Sequence, residues 1–226
     1  MTSSPTPARL TGARFPLPGR FRAVVFDMDG LLLDSERAWE AAERDVLARH
    51  GAELTEEERR ATLGRSANEV IGWYAAKIGW PPERGPELRA ELVAAVRGRY
   101  AEIAPMPGAR ELVARLRGRT RLGLASNTDR SLVEHALTAT GLASSFEAVV
   151  TADDVVHPKP APDVYLLACE RLGVDPAETV ALEDSEAGVA AAKAAGLVCI
   201  AVPQLEGLDV SSADRIVDSL ERLLEP

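Results

Sequence analysis

Several residue types are scarce in this chain, and each scarcity removes a class of protein. Only two of its 226 residues are cysteine, which excludes a disulfide-stapled scaffold. Cys199 lies in the apolar run Leu197 to Val202 and Cys169 in a helical pattern, so both are expected to be reduced core thiols. His50, His135 and His157 lie far apart and no Cys-x-x-Cys occurs, so no zinc-ligand pattern is present. No apolar stretch approaches the ~20 residues of a bilayer span, and no membrane partner is expected. Gly-x-x-x-x-Gly-Lys-Ser/Thr and Gly-x-Gly-x-x-Gly are both missing, which removes the common nucleotide-binding loops. Acidic residues outnumber basic ones by 35 to 26, for a net charge of −9. Displacing counterions from a duplex needs a broad basic surface, so nucleic acid is not an expected partner.

What is present reads as an ordinary folded protein. The chain is 46% hydrophobic and 27% charged, and its length suits one large domain or two modest ones. Residues 1–20 contain arginine and serine but no continuous apolar segment, and their prolines oppose a targeting helix. They are expected to form a flexible leader on a cytoplasmic, monomeric protein.

Five short apolar runs predict strands: Arg22–Phe26, Leu122–Ala125, Ala148–Val150, Val180–Leu182 and Leu197–Val202. After the first, they alternate with helical patterns over Ala109–Gly118, Asp129–Thr140, Pro162–Leu172 and Ser185–Ala195. Continuous apolar strands alternating with helices imply a doubly wound parallel sheet of the α/β class. Between the first strand and Pro105 the rhythm breaks, and the start signals there are helical. Thr55 with Glu58 and Ser66 with Glu69 both fit the capping box. The expected organisation is therefore a Rossmann-like core over 21–33 and 104–226, interrupted by a smaller all-helical cap over 34–103.

In an open parallel sheet, ligands gather beyond the carboxyl ends of the strands. Asp27 and Asp29 follow the first run, Ser126 and Asn127 the second, Lys159 the third, and Glu183 and Asp184 the fourth. Carboxylates at the first and fourth ends suit a hard cation such as Mg²⁺. Asp27 could attack phosphorus if its charge were shielded, because a charge pair ~4 Å apart is worth about 4 kcal/mol at an effective dielectric of 20. Asp29, two residues on, could act as acid and then base. Each feature has a plainer reading. Asp-x-Asp-Gly is a common turn composition, and Ser126 to Asp129 could be a helix-capping cluster with Asp129 in the capping role. Lys159 is more telling: only three of the 26 basic residues are lysine, and this one lies between Pro158 and Pro160.

Phe26-Asp27-Met28-Asp29-Gly30, Ala125-Ser126-Asn127, Lys159-Pro160 and Leu182-Glu183-Asp184-Ser185 resemble the four ordered motifs of the haloacid dehalogenase superfamily. The resemblance covers residues 22–203 and is to the subgroup whose helical cap follows the first motif, the β-phosphoglucomutase-like enzymes. It implies a Mg²⁺-dependent phosphatase with Asp27 as nucleophile, Asp29 as acid/base, and Ser126, Asn127 and Lys159 at the phosphoryl group. It also implies that Asp27, the Asp29 carbonyl and Asp184 bind the metal, with Glu183 assisting. An aspartate at position 29 favours phosphoryl transfer over carbon–halogen cleavage. Trp39 and Ala67 stand where the mutases carry histidine and arginine. The run from Asp27 to Trp39 is similar to bacterial phosphatases of hexitol phosphates and 2-deoxyglucose 6-phosphate, and pseudouridine 5′-phosphatases share the first motif. The expected partner is a small phosphorylated metabolite, with Trp39 and Arg65 facing it. A phosphotransferase of the mutase type and a non-catalytic phosphate-ligand binder remain the alternatives.

Overall fold

The computed structural model describes residues 21–62, 67–100, 103–204 and 207–225. Its sheet contains β1 (Ala23–Phe26), β2 (Arg121–Ala125), β3 (Ala148–Val150), β4 (Thr179–Glu183), β5 (Val198–Ala201) and β6 (Arg215–Ile216). The order is β3-β2-β1-β4-β5-β6, with every neighbouring pair parallel. Alternate residues of each strand feed opposite cores. Val24, Phe26, Leu122, Leu124, Val180, Leu182 and Ile200 pack with α5 (Ala109–Leu116) and α6 (Arg130–Ala139). Ala23, Val25, Ala181, Cys199 and Ala201 pack with α7 (Asp163–Leu172) and α8 (Glu186–Ala194). Both cysteines are buried and neither forms a disulfide.

The strand register positions the site. Phe26 is level with Leu124 on one side and Leu182 on the other, so β1, β2 and β4 deliver their following residues to one height. Asp27 is thereby set between Ala125 and Glu183. Its own N–H donates to the Leu182 carbonyl at 3.0 Å, extending the ladder by one rung.

Four helices follow β1: α1 (Glu36–Arg49), α2 (Glu56–Thr62), α3 (Ala67–Lys77) and α4 (Gly85–Arg97). Val46, Leu47, Leu54, Tyr74, Ala75, Leu88 and Leu92 give them a core of their own. The chain leaves and re-enters the sheet unit side by side, since Asp34 N–H donates to Ala104 O at 2.9 Å and Met106 N–H to Leu32 O at 2.8 Å. At the start of α2, Thr55 and Glu58 form the reciprocal capping pair, at 2.9 and 3.3 Å. The corresponding Ser66 lies outside the described residues, as do the leader 1–20 and Arg65. Among the described residues no helix is long and apolar enough to cross a membrane.

Two local expectations need correction. The two-residue β6 is too short to register as an apolar run, yet it closes the sheet edge and pairs with β5. Asp129 occupies the N-cap of α6 without capping it: its carboxylate reaches Arg89 of α4 at 2.7 Å, and Asp153 accepts the Arg130 N–H at 2.8 Å instead. Tyr74 packs in the helical unit's core, whereas Tyr100 is buried in the sheet's cluster and Trp73 is 39% exposed beneath the Lys77 ammonium.

Candidate active site

At the carboxyl ends of β1, β2 and β4 a cavity of about 290 Å³ opens between sheet and helical unit. Asp27, Asp29, Ser126, Asn127, Lys159 and Asp184 line its floor, and Trp39, Glu36, Glu43, Val70, Ile71, Arg89 and Leu92 its roof. All six expected floor residues meet at this one site. Glu183 lies behind them, fully buried.

Lys159 ties the floor together. Its Nζ donates to Asp27 Oδ1 at 2.6 Å, to Glu183 Oε1 at 2.5 Å and to the Ala125 carbonyl at 2.8 Å. An ammonium has three N–H groups, so all are occupied by the protein itself. Asn127, expected at the phosphoryl group, spends its side-chain amide on the Lys159 backbone. Its Nδ2 donates to Lys159 O at 3.0 Å, and its Oδ1 accepts the Lys159 N–H at 2.9 Å. The following Lys159–Pro160 peptide is cis.

Asp29 is held from both sides, with Ser35 Oγ donating to its Oδ1 and Thr128 Oγ1 to its Oδ2, each at 2.7 Å. Ser126 Oγ lies farther off, 3.4 Å from Oδ2, and accepts the Thr128 N–H at 3.0 Å. Ser35 and Thr128 were not singled out from sequence; their only signals are a hydroxyl beside the first motif and another beside the second. Tyr165 was missed too. Its hydroxyl donates to Glu183 Oε1 at 2.5 Å.

Two glycines make room for the carboxylates. Gly30 has φ +80°, and a Cβ there would come within 2.1 Å of Asp184 Oδ2; at Gly188 it would come within 1.9 Å of Glu183 Oε2. Asp27, Glu183 and Asp184 each offer an oxygen within 4.8 Å of the others. Burial pushes the Asp27 carboxyl up to about 7, with Lys159 opposing the rise and Glu183 and Asp29 adding to it. Burial likewise holds Asp184 well above the usual carboxylate range, reinforced by Asp27 and Glu183. Burial works against the Lys159 ammonium, but attraction to Asp27 and Glu183 outweighs it and its pKa stands above the ordinary value. One cation thus faces more negative charge than it neutralises. An all-oxygen donor set with that surplus fits a hard divalent ion such as Mg²⁺.

A doubly wound sheet whose adjoining strand ends present acids and a buried lysine beneath a helical roof defines a hydrolase of the phosphoryl-transfer kind. The haloacid dehalogenase-like hydrolase family matches residues 21–196, and the chain belongs to that family. It is 39% identical over 192 residues to hexitol phosphatase B of Escherichia coli, covering 84% of this chain and 86% of that protein. To fructose-1-phosphate phosphatase YqaB of the same organism it is 34% identical over 188 residues, covering 81% and 97% respectively. A structure of CbbY from Rhodobacter sphaeroides with xylulose 1,5-bisphosphate superposes with TM-score 0.80 at 31% identity, covering 88% of this chain and 95% of that one. The protein is accordingly an enzyme of the phosphatase class.

Proposed function

We propose that this enzyme hydrolyses the monophosphate of a small sugar or sugar alcohol through an aspartyl-phosphate. The observation that carries the reading is the buried Asp27–Lys159–Glu183 contact beside Asp184, at the level where three strands end. The named substrates of the relatives and a cavity near the lower end of ligand-pocket sizes support a small metabolite.

Asp27, Asp184 and the Asp29 carbonyl would hold Mg²⁺, with Glu183 near enough to assist. When bound, that ion would neutralise charge on the transferring phosphoryl group and on Asp27. Asp27 attacks phosphorus in line; a carboxylate O–P bond forms as the ester P–O bond breaks. Asp29 gives its proton to the departing alkoxide. The same residue then takes a proton from water, whose oxygen attacks phosphorus, breaks the bond to Asp27 and releases phosphate. Ser35 and Thr128 fix the Asp29 carboxylate for both transfers. Ser126 is assigned to the phosphoryl oxygens, and Lys159 to positioning and shielding Asp27. Trp39 offers an apolar face to the carbon skeleton, and Arg65 is the second proposed specificity residue.

Turnover of a panel of phosphorylated metabolites and p-nitrophenyl phosphate, with Mg²⁺ or with EDTA, tests this. Sugar monophosphates should be preferred, EDTA should abolish turnover, and Asp27→Asn should lower kcat by about 10³-fold or more. Full activity of Asp27→Asn would reject the covalent route.

A further inference from the structure

The mechanism above gives Tyr165 nothing to do, yet its position is costly. The residue is fully buried on α7, and its hydroxyl ends 2.5 Å from Glu183 Oε1, the same oxygen that accepts the Lys159 ammonium at 2.5 Å. Packing alone would be served by phenylalanine. Burying a phenol hydroxyl is unfavourable unless it is hydrogen-bonded, and here it is spent on one acceptor.

That acceptor is the counterweight to Asp27. Lys159 Nζ is divided between Asp27 Oδ1 and Glu183 Oε1, with the Ala125 carbonyl as its third partner. Two carboxylates compete for one ammonium, and whichever is the stronger acceptor draws it closer. A hydroxyl donating to Glu183 Oε1 withdraws electron density from that oxygen and weakens its hold. Seen from Lys159, the Tyr165 ring also stands 5.1 Å away, so the ammonium is confined from that side as well. Glu183 cannot turn aside to escape, because Gly188 closes against its carboxylate and β4 fixes its backbone.

We propose that Tyr165 is a positioning residue that acts through Glu183 to keep the Lys159 ammonium on Asp27. This rests on the assignment of Asp27 as nucleophile. Tyr165 touches neither substrate nor the reacting atoms, so its removal is felt in kcat rather than in substrate binding.

The test is Tyr165→Phe, alone and combined with Glu183→Gln, assayed with Mg²⁺ on p-nitrophenyl phosphate. The expected result is a kcat about tenfold below wild type, KM within twofold, and no further loss from Tyr165→Phe once Glu183 is glutamine. A kcat within twofold of wild type, an equal loss in both backgrounds, or a loss confined to KM would overturn it. If Tyr165→Phe does not fold, 3-fluorotyrosine at 165 keeps the ring and strengthens the donor; kcat should move at least twofold with KM fixed, and an unchanged kcat overturns the proposal equally. Asp27→Asn is run alongside. Should that variant keep wild-type turnover, the assignment of the nucleophile has failed, whatever Tyr165 does.

Discussion

Floor and roof of the cavity are built on different terms. On the floor, every N–H of the Lys159 ammonium has a partner inside the protein, and Asp29 is gripped at both oxygens. The roof is looser. Glu43, on the roof, stands 3.4 Å from Arg59 without hydrogen-bond geometry. One of the roof's links to the residues beneath, Arg89 to Asp129, is a partly exposed ion pair. A reaction that must place a nucleophile within a fraction of an ångström calls for the first kind of construction, because misplacement costs rate steeply. Recognition of a hydroxylated skeleton calls for the second, where spare polar groups can be re-partnered.

If the contrast is real, substitutions on the floor should cost both stability and rate, whereas those on the roof should cost little of either. Lys159→Met is the severest floor change. It leaves Asp27 and Glu183 buried together without their cation, so thermal or chemical melts should show a loss of about 3–5 kcal/mol, with turnover at background. An unaltered melting temperature would mean that the floor is not held by charge.

Proton linkage gives the next largest effect. Burial lifts the folded Asp27 carboxyl from its ordinary 3.8 to about 7. The folded chain therefore binds the extra proton between about pH 4 and 7, and metal-free stability should fall across that window by on the order of 2–4 kcal/mol. Mg²⁺ competes with that proton, so the stabilisation it confers should grow over the same range. Melting curves in EDTA and in Mg²⁺ at pH 5 and 7.5 check this, and equal Mg²⁺ effects at both would contradict the placement of the cation. Arg89→Ala should do least: stability within ~1 kcal/mol of wild type, and KM for a sugar phosphate raised roughly threefold with kcat nearly unchanged. A large fall in kcat would move Arg89 from roof to floor.

The same division decides what could be read from sequence. β1, β2 and β4 are runs of apolar residues, and the acids and Ser126 at their ends fall at one level because parallel register carries them there, while Lys159 reaches them from the loop after β3. Local signals of that sort survive folding, as does the Thr55–Glu58 cap. Contacts made across the fold do not announce themselves. Tyr165 reads as a core aromatic until α7 sets it under Glu183, and Thr128 as one more capping hydroxyl until it meets Asp29. Asp129 illustrates the reverse: a sound local preference for capping gave way to a tertiary ion pair with Arg89. β6 carries too few residues for any periodicity to show.

In the proposed reaction Asp27 itself carries the phosphoryl group. Borohydride added during turnover reduces an acyl phosphate to an alcohol, and mass spectrometry of the peptide bearing residue 27 reads the product. Substrate-dependent reduction at Asp27, absent without Mg²⁺, is the predicted result; steady turnover with an unmodified Asp27, or with the modification on Asp29, would contradict it.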